Sequence, residues 1–135
     1  MSVILITGSC GLVGSESVKF FAEKGFDVVG IDNNSRLKFF GKDGDINWIK
    51  SDLIKSYKKY IHKNIDIRNY SALEKIFRKY KNSIKLIIHC AGQPSHDWAK
   101  TKPFIDFNIN ALGTLNLLNL TKKYSYSSPF IFMST

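Results

Sequence analysis

The 135-residue sequence predicts one α/β domain in which helices cover both faces of a parallel β-sheet. Three observations support this fold class. Short apolar runs rich in β-branched residues recur along the chain, as is typical of strands buried on both faces. Segments with helical periodicity lie between these runs. The first run leads directly into three regularly spaced glycines, Gly8, Gly11 and Gly14.

Five strands are predicted, at residues 3–6, 26–31, 57–65, 84–89 and 129–133. Helices are predicted at residues 12–24, at about 46–54, after a Ser71-x-x-Glu74 capping box, and from Pro103 onward. Residues 33–45 show no clear period, and residues 94–102 are predicted to form a loop. Because right-handed crossovers join parallel strands, the predicted strand order is 3-2-1-4-5.

Two of these helices carry apolar residues at helical spacing. The helix after the capping box has its predicted buried face at Leu73, Ile76, Phe77 and Tyr80. The helix that begins at Pro103 has its predicted inner face at Phe104, Phe107, Ala111, Leu115 and Leu118. Both faces are expected to pack on the sheet.

The three glycines form a turn that suits a pyrophosphate. Glycine permits the tight turn after the first strand, and without side chains the backbone N–H groups can approach the phosphates closely. The N-terminus of the following helix favours an anion through its dipole and its free N–H groups. Plain strand–turn–helix units also contain such glycines, so the prediction of a dinucleotide site depends on the neighbouring residues.

Asp32 is the neighbour that strengthens this prediction. It ends the second strand, where a carboxylate accepts hydrogen bonds from the adenosine ribose hydroxyls. A carboxylate there repels the 2′-phosphate of NADP and therefore favours NAD, whereas the nearby Arg36 would weaken that preference. The alternative is that Asp32 is a turn residue beside Asn33 and Asn34.

The composition argues against several other classes of protein. The net charge of +9 arises from cations scattered over helix backs and loops, without the aromatic-interleaved basic stripe of a nucleic-acid interface. No apolar run approaches the ~20 residues of a membrane span, and no leader is expected before the first strand. Cys10 and Cys90 lack a metal-type spacing and suit a reducing compartment. We therefore expect no nucleic-acid or membrane partner, no metal site and a cytoplasmic location.

Several motifs occur in an order known from one family. They are Thr7-Gly8-x-x-Gly11-x-x-Gly14, Asp32-Asn33, Asp66-Ile67-Arg68, His89-Cys90-Ala91-Gly92, Asn110-x-x-Gly113-Thr114 and Ser134-Thr135. The chain resembles the extended short-chain dehydrogenases/reductases, a group of NAD-dependent nucleotide-sugar epimerases and dehydratases with a Rossmann-like fold. Residues 91–99 and 110–118 are most similar to those of the CDP-paratose 2-epimerases, also called CDP-tyvelose epimerases. The resemblance implies NAD as the cofactor and, for the full-length enzyme, a nucleotide sugar as the substrate and a homodimer.

The resemblance also implies a role for each matching position. The pyrophosphate would be held by Gly8, Cys10, Gly11, Leu12, Val13 and Gly14. The adenosine half of NAD would be bound by Asp32, Asn33, Arg36, Asp66 and Ile67. The ribose side of the cofactor would be lined by Ala91, Gly92 and Gln93, and Asn110 would reach toward its nicotinamide half. Thr135 would be catalytic by hydrogen-bonding the sugar hydroxyl that is oxidised. Ser95, His96 and Ser134 are weaker candidates for substrate contact.

The mechanism implied by the resemblance is transient oxidation of the sugar. A tyrosine phenolate removes a hydroxyl proton while a hydride passes to NAD, and the hydride returns to the other face of the ketone. In the family this base belongs to a Tyr-x-x-x-Lys motif, in which the lysine lowers a phenol pKa of ~10. None of the six tyrosines of this sequence has a lysine four residues later. Members of the family are more than twice as long, and residues 1–135 are therefore expected to form an incomplete NAD-binding domain that is inactive alone.

Two alternatives to the epimerase remain open from the sequence. One is a nucleotide-sugar 4,6-dehydratase of the same family, which usually has an Asp-Glu pair directly after the catalytic threonine. The other is a non-catalytic dinucleotide-binding module that retains the fold without the chemistry.

Overall fold

The computed structural model describes residues 1–134, and it contains a five-stranded, fully parallel sheet. The strands are β1 (Val3–Thr7), β2 (Asp27–Ile31), β3 (Tyr60–Lys63), β4 (Ile84–His89) and β5 (Phe130–Phe132). Their order across the sheet is β3-β2-β1-β4-β5, so the predicted strand order is confirmed. The order reverses between β1 and β4, which opens a crevice at the carboxyl ends of the strands.

Seven α-helices connect and cover these strands within residues 1–134. They are α1 (Leu12–Glu23), α2 (Ser35–Phe40), α3 (Asn47–Ser56), α4 (Tyr70–Tyr80), α5 (His96–Thr101), α6 (Pro103–Phe107) and α7 (Gly113–Tyr124). A π-helical segment, Asn108–Leu112, joins α6 to α7. Short 3₁₀ turns cover Gly41–Gly44 and Lys81–Ser83.

The sheet separates two hydrophobic cores, as expected for a sheet with helices on both faces. Val3 and Leu5 point to the core formed with α4 and α7, which includes the fully buried Phe77. Ile4 and Ile6, which alternate with them along β1, point to the core formed with α1 and α3. Burial of each such side chain contributes about 1.5–3 kcal/mol, so β1, buried on both faces, anchors the domain.

The predicted start of α4 is wrong by two residues. Asn69 caps the helix, because its side-chain oxygen accepts a hydrogen bond from the backbone N–H of Ala72 at 3.0 Å. Ser71 therefore lies inside the first turn and is not the cap. The buried face predicted for this helix is confirmed: all four residues, from Leu73 to Tyr80, are buried.

The third strand is shorter than predicted because α3 is longer. The backbone N–H of Tyr57 donates to the carbonyl oxygen of Leu53, so Tyr57 is the C-cap of α3 and does not start a strand. The pairing of β3 with β2 begins at Tyr60 and ends at Lys63. The predicted loop at residues 94–102 also contains a helix, α5.

The inner face predicted for the helix after Pro103 is wrong. All five residues assigned to that face are exposed; Phe104, for example, has 84% of its surface accessible. The buried side consists of Ile109, Gly113, Leu117, Leu120 and Thr121. Gly113 permits close packing, since a Cβ there would lie 2.5 Å from Cδ1 of Ile67. The helical period locates an apolar face correctly, but it does not specify which of two apolar faces meets the sheet.

Across Met1–Ser134, no helix has the length and apolar character needed to cross a membrane.

Candidate dinucleotide-binding site

A cavity of about 490 Å³ lies at the carboxyl edge of the sheet, at the switch between β1 and β4. Its size falls within the usual range for small-molecule and cofactor sites. The cavity brings together most of the residues selected from the sequence: Gly8, Gly11, Leu12, Val13, Gly14, Asp32, Asn33, Arg36, Asp66, Ile67, Ala91, Gly92, Gln93, Asn110 and Ser134.

Further lining residues were not assigned a site role from the sequence. They are Ile31, Ser35, Phe39, Ile46, Ile65, Cys90, Pro94, Ile109, Thr114, Phe132 and Met133. Several of them end predicted strands, so the rule that ligands bind at the carboxyl edge could have identified them. Phe39 lies in the segment without a clear period, and Ile46 lies at the start of the helix predicted at about residues 46–54. No sequence signal places either residue at the cavity.

Four of the selected residues are not on the cavity wall that the structure describes. Cys10 is buried behind the glycine turn, and its backbone N–H donates to the Asp32 carboxylate at 3.0 Å. The hydroxyl of Ser95 caps α5 by accepting from the N–H of Trp98, and His96 is exposed at the start of that helix. Thr135 lies outside the described residues.

Gly8 and Gly14 are required by the packing of the turn itself. Gly8 has a φ of +65°, and a Cβ there would lie 2.7 Å from the backbone nitrogen of Ala91. A Cβ on Gly14 would overlap the carbonyl oxygen of Gly8. These two glycines therefore allow β1, α1 and the end of β4 to approach one another closely.

Gly11 has a different role, because its missing side chain leaves space in the cavity. A Cβ there would meet only the carbonyl oxygen of Gly8, at 3.3 Å, within a 4 Å radius. Gly11 is also the N-cap of α1, and without a side chain it cannot cap the first N–H groups of the helix. The first helical turn, Leu12 to Gly14, lies on the cavity wall, where its N–H groups and the helix dipole favour an anion.

The Asp32 carboxylate is held in place from two directions. One oxygen accepts the N–H of Cys10 at 3.0 Å, and the other accepts the N–H of Asn34 at 2.8 Å. Each carboxylate oxygen can accept a further hydrogen bond, so the group can still receive ribose hydroxyls from the cavity. Asp32 thus links the glycine turn of β1 to the end of β2.

Asp66 provides a second fixed carboxylate on the cavity wall. The guanidinium of Arg68 binds it with two donors, Nε at 3.0 Å and Nη2 at 2.6 Å, and the Asn33 amide donates at 3.2 Å. The hydrogen bond from Arg68 is the largest cause that lowers the pKa of Asp66 below its usual value. The carboxylate therefore remains ionised, and the end of β3 is tied to the end of β2.

The cavity wall on the β4 side is fixed by Gln93 and Asn110. The Asn110 amide accepts the backbone N–H of Gln93 at 2.7 Å and donates to its carbonyl oxygen at 3.1 Å. The buried Gln93 side chain donates to Asp106 at 2.8 Å and pairs with the backbone of Ser95. Asn110 thus holds the loop after β4 with the same amide that was predicted to reach the nicotinamide half.

Comparison with known proteins identifies the family. Residues 4–135 match the family described as NAD dependent epimerase/dehydratase. The chain belongs to this family. NAD is the cofactor of the epimerase/dehydratase family, and the residues present fit it: glycine positions that a Cβ would fill, an uncapped helix N-terminus and a positioned carboxylate line one cavity.

Curated relatives within the epimerase/dehydratase family include enzymes for two nucleotide sugars. A CDP-paratose 2-epimerase of Salmonella typhi is 33% identical over 132 residues, which are 98% of this chain and 36% of that protein. A UDP-glucose 4-epimerase of Schizosaccharomyces pombe is 31% identical over 134 residues, which are 98% of this chain and 34% of that protein. The chain therefore spans about a third of the length of these relatives.

Solved structures agree with the epimerase/dehydratase assignment. The UDP-glucose 4-epimerase of Thermotoga maritima with UDP-glucose has a TM-score of 0.78 and 28% identity, with 98% of this chain and 38% of that chain covered. The UDP-glucose 4-epimerase of Bifidobacterium longum, in complex with NAD⁺ and UDP, has a TM-score of 0.75 and 25% identity, with 99% and 37% covered.

Proposed function

We propose that residues 1–135 are the NAD-binding domain of a nucleotide-sugar epimerase. One observation carries this proposal: the uncapped N-terminus of α1 and the positioned Asp32 carboxylate line the same cavity. An anion-binding turn and a ribose acceptor at one sheet edge are the two features that a dinucleotide requires. The family of the chain and its epimerase relatives support the reaction class.

The described residues would bind and orient the reactants. The first turn of α1 would hold the pyrophosphate, Asp32 the adenosine ribose, and the wall from Ala91 to Gln93 the other half of the cofactor. Bound NAD supplies a reversible hydride acceptor. The six tyrosines of the sequence lack the Tyr-x-x-x-Lys spacing, so we propose that the base and the sugar-binding residues lie outside residues 1–135. Thr135 is proposed to hydrogen-bond the reacting sugar hydroxyl.

For the substrate we favour a CDP-linked sugar epimerised at C2. The Salmonella typhi relative and the similarity of residues 91–99 and 110–118 support this choice. The second candidate is a UDP-hexose epimerised at C4, which the UDP-glucose 4-epimerase relatives and structures support. Free thiols at both cysteines fit the proposed cytoplasmic location.

The coding sequence after Thr135 tests the proposed longer enzyme. An in-frame Tyr-x-x-x-Lys motif after a non-acidic pair would support the epimerase, and an Asp-Glu pair directly after Thr135 would support a 4,6-dehydratase. A stop codon would contradict both and leave a dinucleotide-binding module. Assays of the encoded protein with CDP-tyvelose and UDP-glucose then separate the two epimerase substrates.

Replacement of Asp32 tests the cofactor assignment. We expect Asp32→Ala to weaken NAD binding by about 10- to 150-fold, because a charged hydrogen-bond acceptor contributes ~1.5–3 kcal/mol. Asp27→Ala, at the other end of β2, is the matched control and should bind NAD like the unmodified chain. Isothermal titration calorimetry with NAD measures the affinity of both variants. Equal affinity of Asp32→Ala and Asp27→Ala would refute the role of Asp32.

We also propose a homodimer formed through an exposed apolar stripe that runs along α6, the π-helical segment and α7. The stripe consists of Phe104, Phe107, Ala111, Leu115 and Leu118. A second copy is the partner of choice, because a two-fold axis brings the same apolar stripe of two subunits together. Water contact with a stripe of this kind is unfavourable, since each large side chain gains about 1.5–3 kcal/mol on burial.

Sedimentation equilibrium tests the dimer. We expect the chain to sediment as a dimer at micromolar concentration and Leu115→Glu to sediment as a monomer, because two unpaired carboxylates would be buried at the interface. Ile54→Glu, at an exposed apolar position of α3, is the control and should remain dimeric. A monomeric unmodified chain, or a dimer that tolerates Leu115→Glu, would contradict this interface.

A further inference from the structure

A continuous chain of hydrogen bonds joins β1, β4 and α7 beside the cavity. At its centre lies His89, the last residue of β4, which is 1% exposed. Its Nδ1 lies 2.6 Å from the hydroxyl of Thr7, the last residue of β1. Its Nε2 lies 2.8 Å from the hydroxyl of Thr114 in α7. Three separate elements therefore meet at one imidazole.

The partners at the two ends of the chain determine the direction of its hydrogen bonds. The Thr114 hydroxyl donates its proton to the carbonyl oxygen of Asn110, at 2.7 Å. It must therefore accept from Nε2 of His89, which carries the ring proton. Nδ1 is then an acceptor and receives the proton of the Thr7 hydroxyl. The Thr7 oxygen in turn accepts the backbone N–H of Ala91 at 3.3 Å.

Every polar atom of the imidazole is satisfied in this one arrangement. In the other neutral tautomer, Nδ1 carries the proton, and the Thr7 hydroxyl would lose Nδ1 as the acceptor of its own proton. Nε2 would then need a donor, but the neighbouring Thr114 hydroxyl already donates its proton to Asn110. A charged ring would place two donors in a buried site. Burial lowers the pKa of His89 to about 4, in agreement with a neutral ring.

The ends of the chain coincide with the cavity wall. Ala91 and Asn110 line the cavity, and Asn110 holds the backbone of Gln93 through its amide. The π-helical segment that contains Asn110 departs from the regular helix at this point, as π-segments often do near functional sites. The position of this wall thus depends on His89 through both of its ring nitrogens.

We infer that His89, as the neutral Nε2–H tautomer, is a positioning residue that fixes the β4 side of the cavity against β1 and α7. This inference rests on the proposed function, because the wall it fixes is the one proposed to hold the nicotinamide half of NAD. The adenosine half lies at β2, on the far side of the glycine turn, and His89 does not position it.

Nitrogen NMR of the labelled chain at neutral pH tests the tautomer. We expect a pyridine-like shift at Nδ1 and a pyrrole-like shift at Nε2 of His89. A protonated Nδ1, or an imidazolium, would overturn the inference. This measurement needs no ligand, so it decides the arrangement whether or not the proposed function is correct.

Titrations with NAD and with ADP test the positioning role. Thr114→Val removes the hydroxyl but retains the shape, and we expect about tenfold weaker NAD binding with ADP binding unchanged. Thr114→Ser keeps the hydroxyl and should bind NAD with the affinity of the unmodified chain. A cooperative melt of each variant confirms that it is folded.

The outcomes separate the inference from the proposed function. If the unmodified chain binds NAD and Thr114→Val binds it equally well, the positioning role is wrong. If Thr114→Val weakens NAD and ADP alike, the role is not confined to the nicotinamide side and the inference is also wrong. If the unmodified chain binds neither ligand, the proposed function fails while the tautomer measurement still stands.

Discussion

Gly14→Ala is expected to destabilise the domain by about 3 kcal/mol or more, the upper range for overpacking a rigid site. The added Cβ would overlap the carbonyl oxygen of Gly8, which is backbone and cannot rotate away. The turn could accommodate the methyl group only if α1 moved away from β1, which would open the core around Val18. A loss of this size is a large fraction of the 5–15 kcal/mol that stabilises an ordinary domain.

Urea denaturation followed by circular dichroism measures this effect. Gly11→Ala is the matched control, because it adds the same methyl group three residues earlier in the same turn. Its Cβ would lie 3.3 Å from the Gly8 oxygen, a contact that a small shift relieves. We expect a change below about 1 kcal/mol for the control. Equal destabilisation by the two variants would show that the turn does not pack as described.

Gly11→Val is expected to weaken NAD binding by about 100-fold or more and to leave the domain folded. Its branched side chain would extend into the cavity, where the pyrophosphate meets the first turn of α1. The loss of charge-assisted hydrogen bonds worth about 3 kcal/mol corresponds to a decrease in affinity of about 100-fold or more.

Calorimetric titration with NAD and a thermal melt of the same sample separate binding from folding. The expected result is a melting temperature near that of the unmodified chain together with NAD binding weakened by about 100-fold or more. The affinity of Gly11→Ala for NAD should lie between those of the unmodified chain and Gly11→Val. Normal NAD binding by Gly11→Val would mean that the pyrophosphate is not held at this turn.

The parts of the fold that local chemistry determines could be predicted from the sequence. The strand that ends at Thr7, the glycine turn and the acid at residue 32 depend on residues close together in the chain, and each has a local physical requirement. The strand order followed from the alternation of strands and helices, because crossovers are right-handed. The prediction that the site residues meet at one sheet edge followed from the rule that ligands bind at the carboxyl ends of parallel strands.

The parts that depend on tertiary packing could not be predicted. The Phe39 and Trp98 rings meet edge-to-face at 5.2 Å between α2 and α5, two helices that the sequence pattern does not reveal. Their segments have little apolar periodicity, so contacts with distant residues decide their conformation. The inner face of the helix after Pro103 was misassigned for a related reason, since tertiary packing, such as that of Gly113 against Ile67, decides which face is buried.

The functions of individual polar groups were also beyond sequence reasoning. Asn110 lines the cavity, and its contact with the cofactor stays a prediction; the sequence did not show that both atoms of its amide also hold the backbone of Gln93. The role of Cys10 in holding the pyrophosphate also stays a prediction; the sequence did not show that its side chain is buried and that its N–H positions Asp32. Such roles depend on hydrogen-bond directions, which a spacing pattern does not contain.

The most direct test of the central claim is an amide NMR titration of the ¹⁵N-labelled chain with NAD and, separately, with NADP. We predict saturable shifts at Gly8 to Gly14, at Asp32 and Asn33, and at Ala91 to Gln93, with NAD bound more tightly than NADP. The amides of Lys79 and Lys122, in the last turns of α4 and α7, should not shift. Tighter binding of NADP, or the absence of shifts along the glycine turn, would contradict the account.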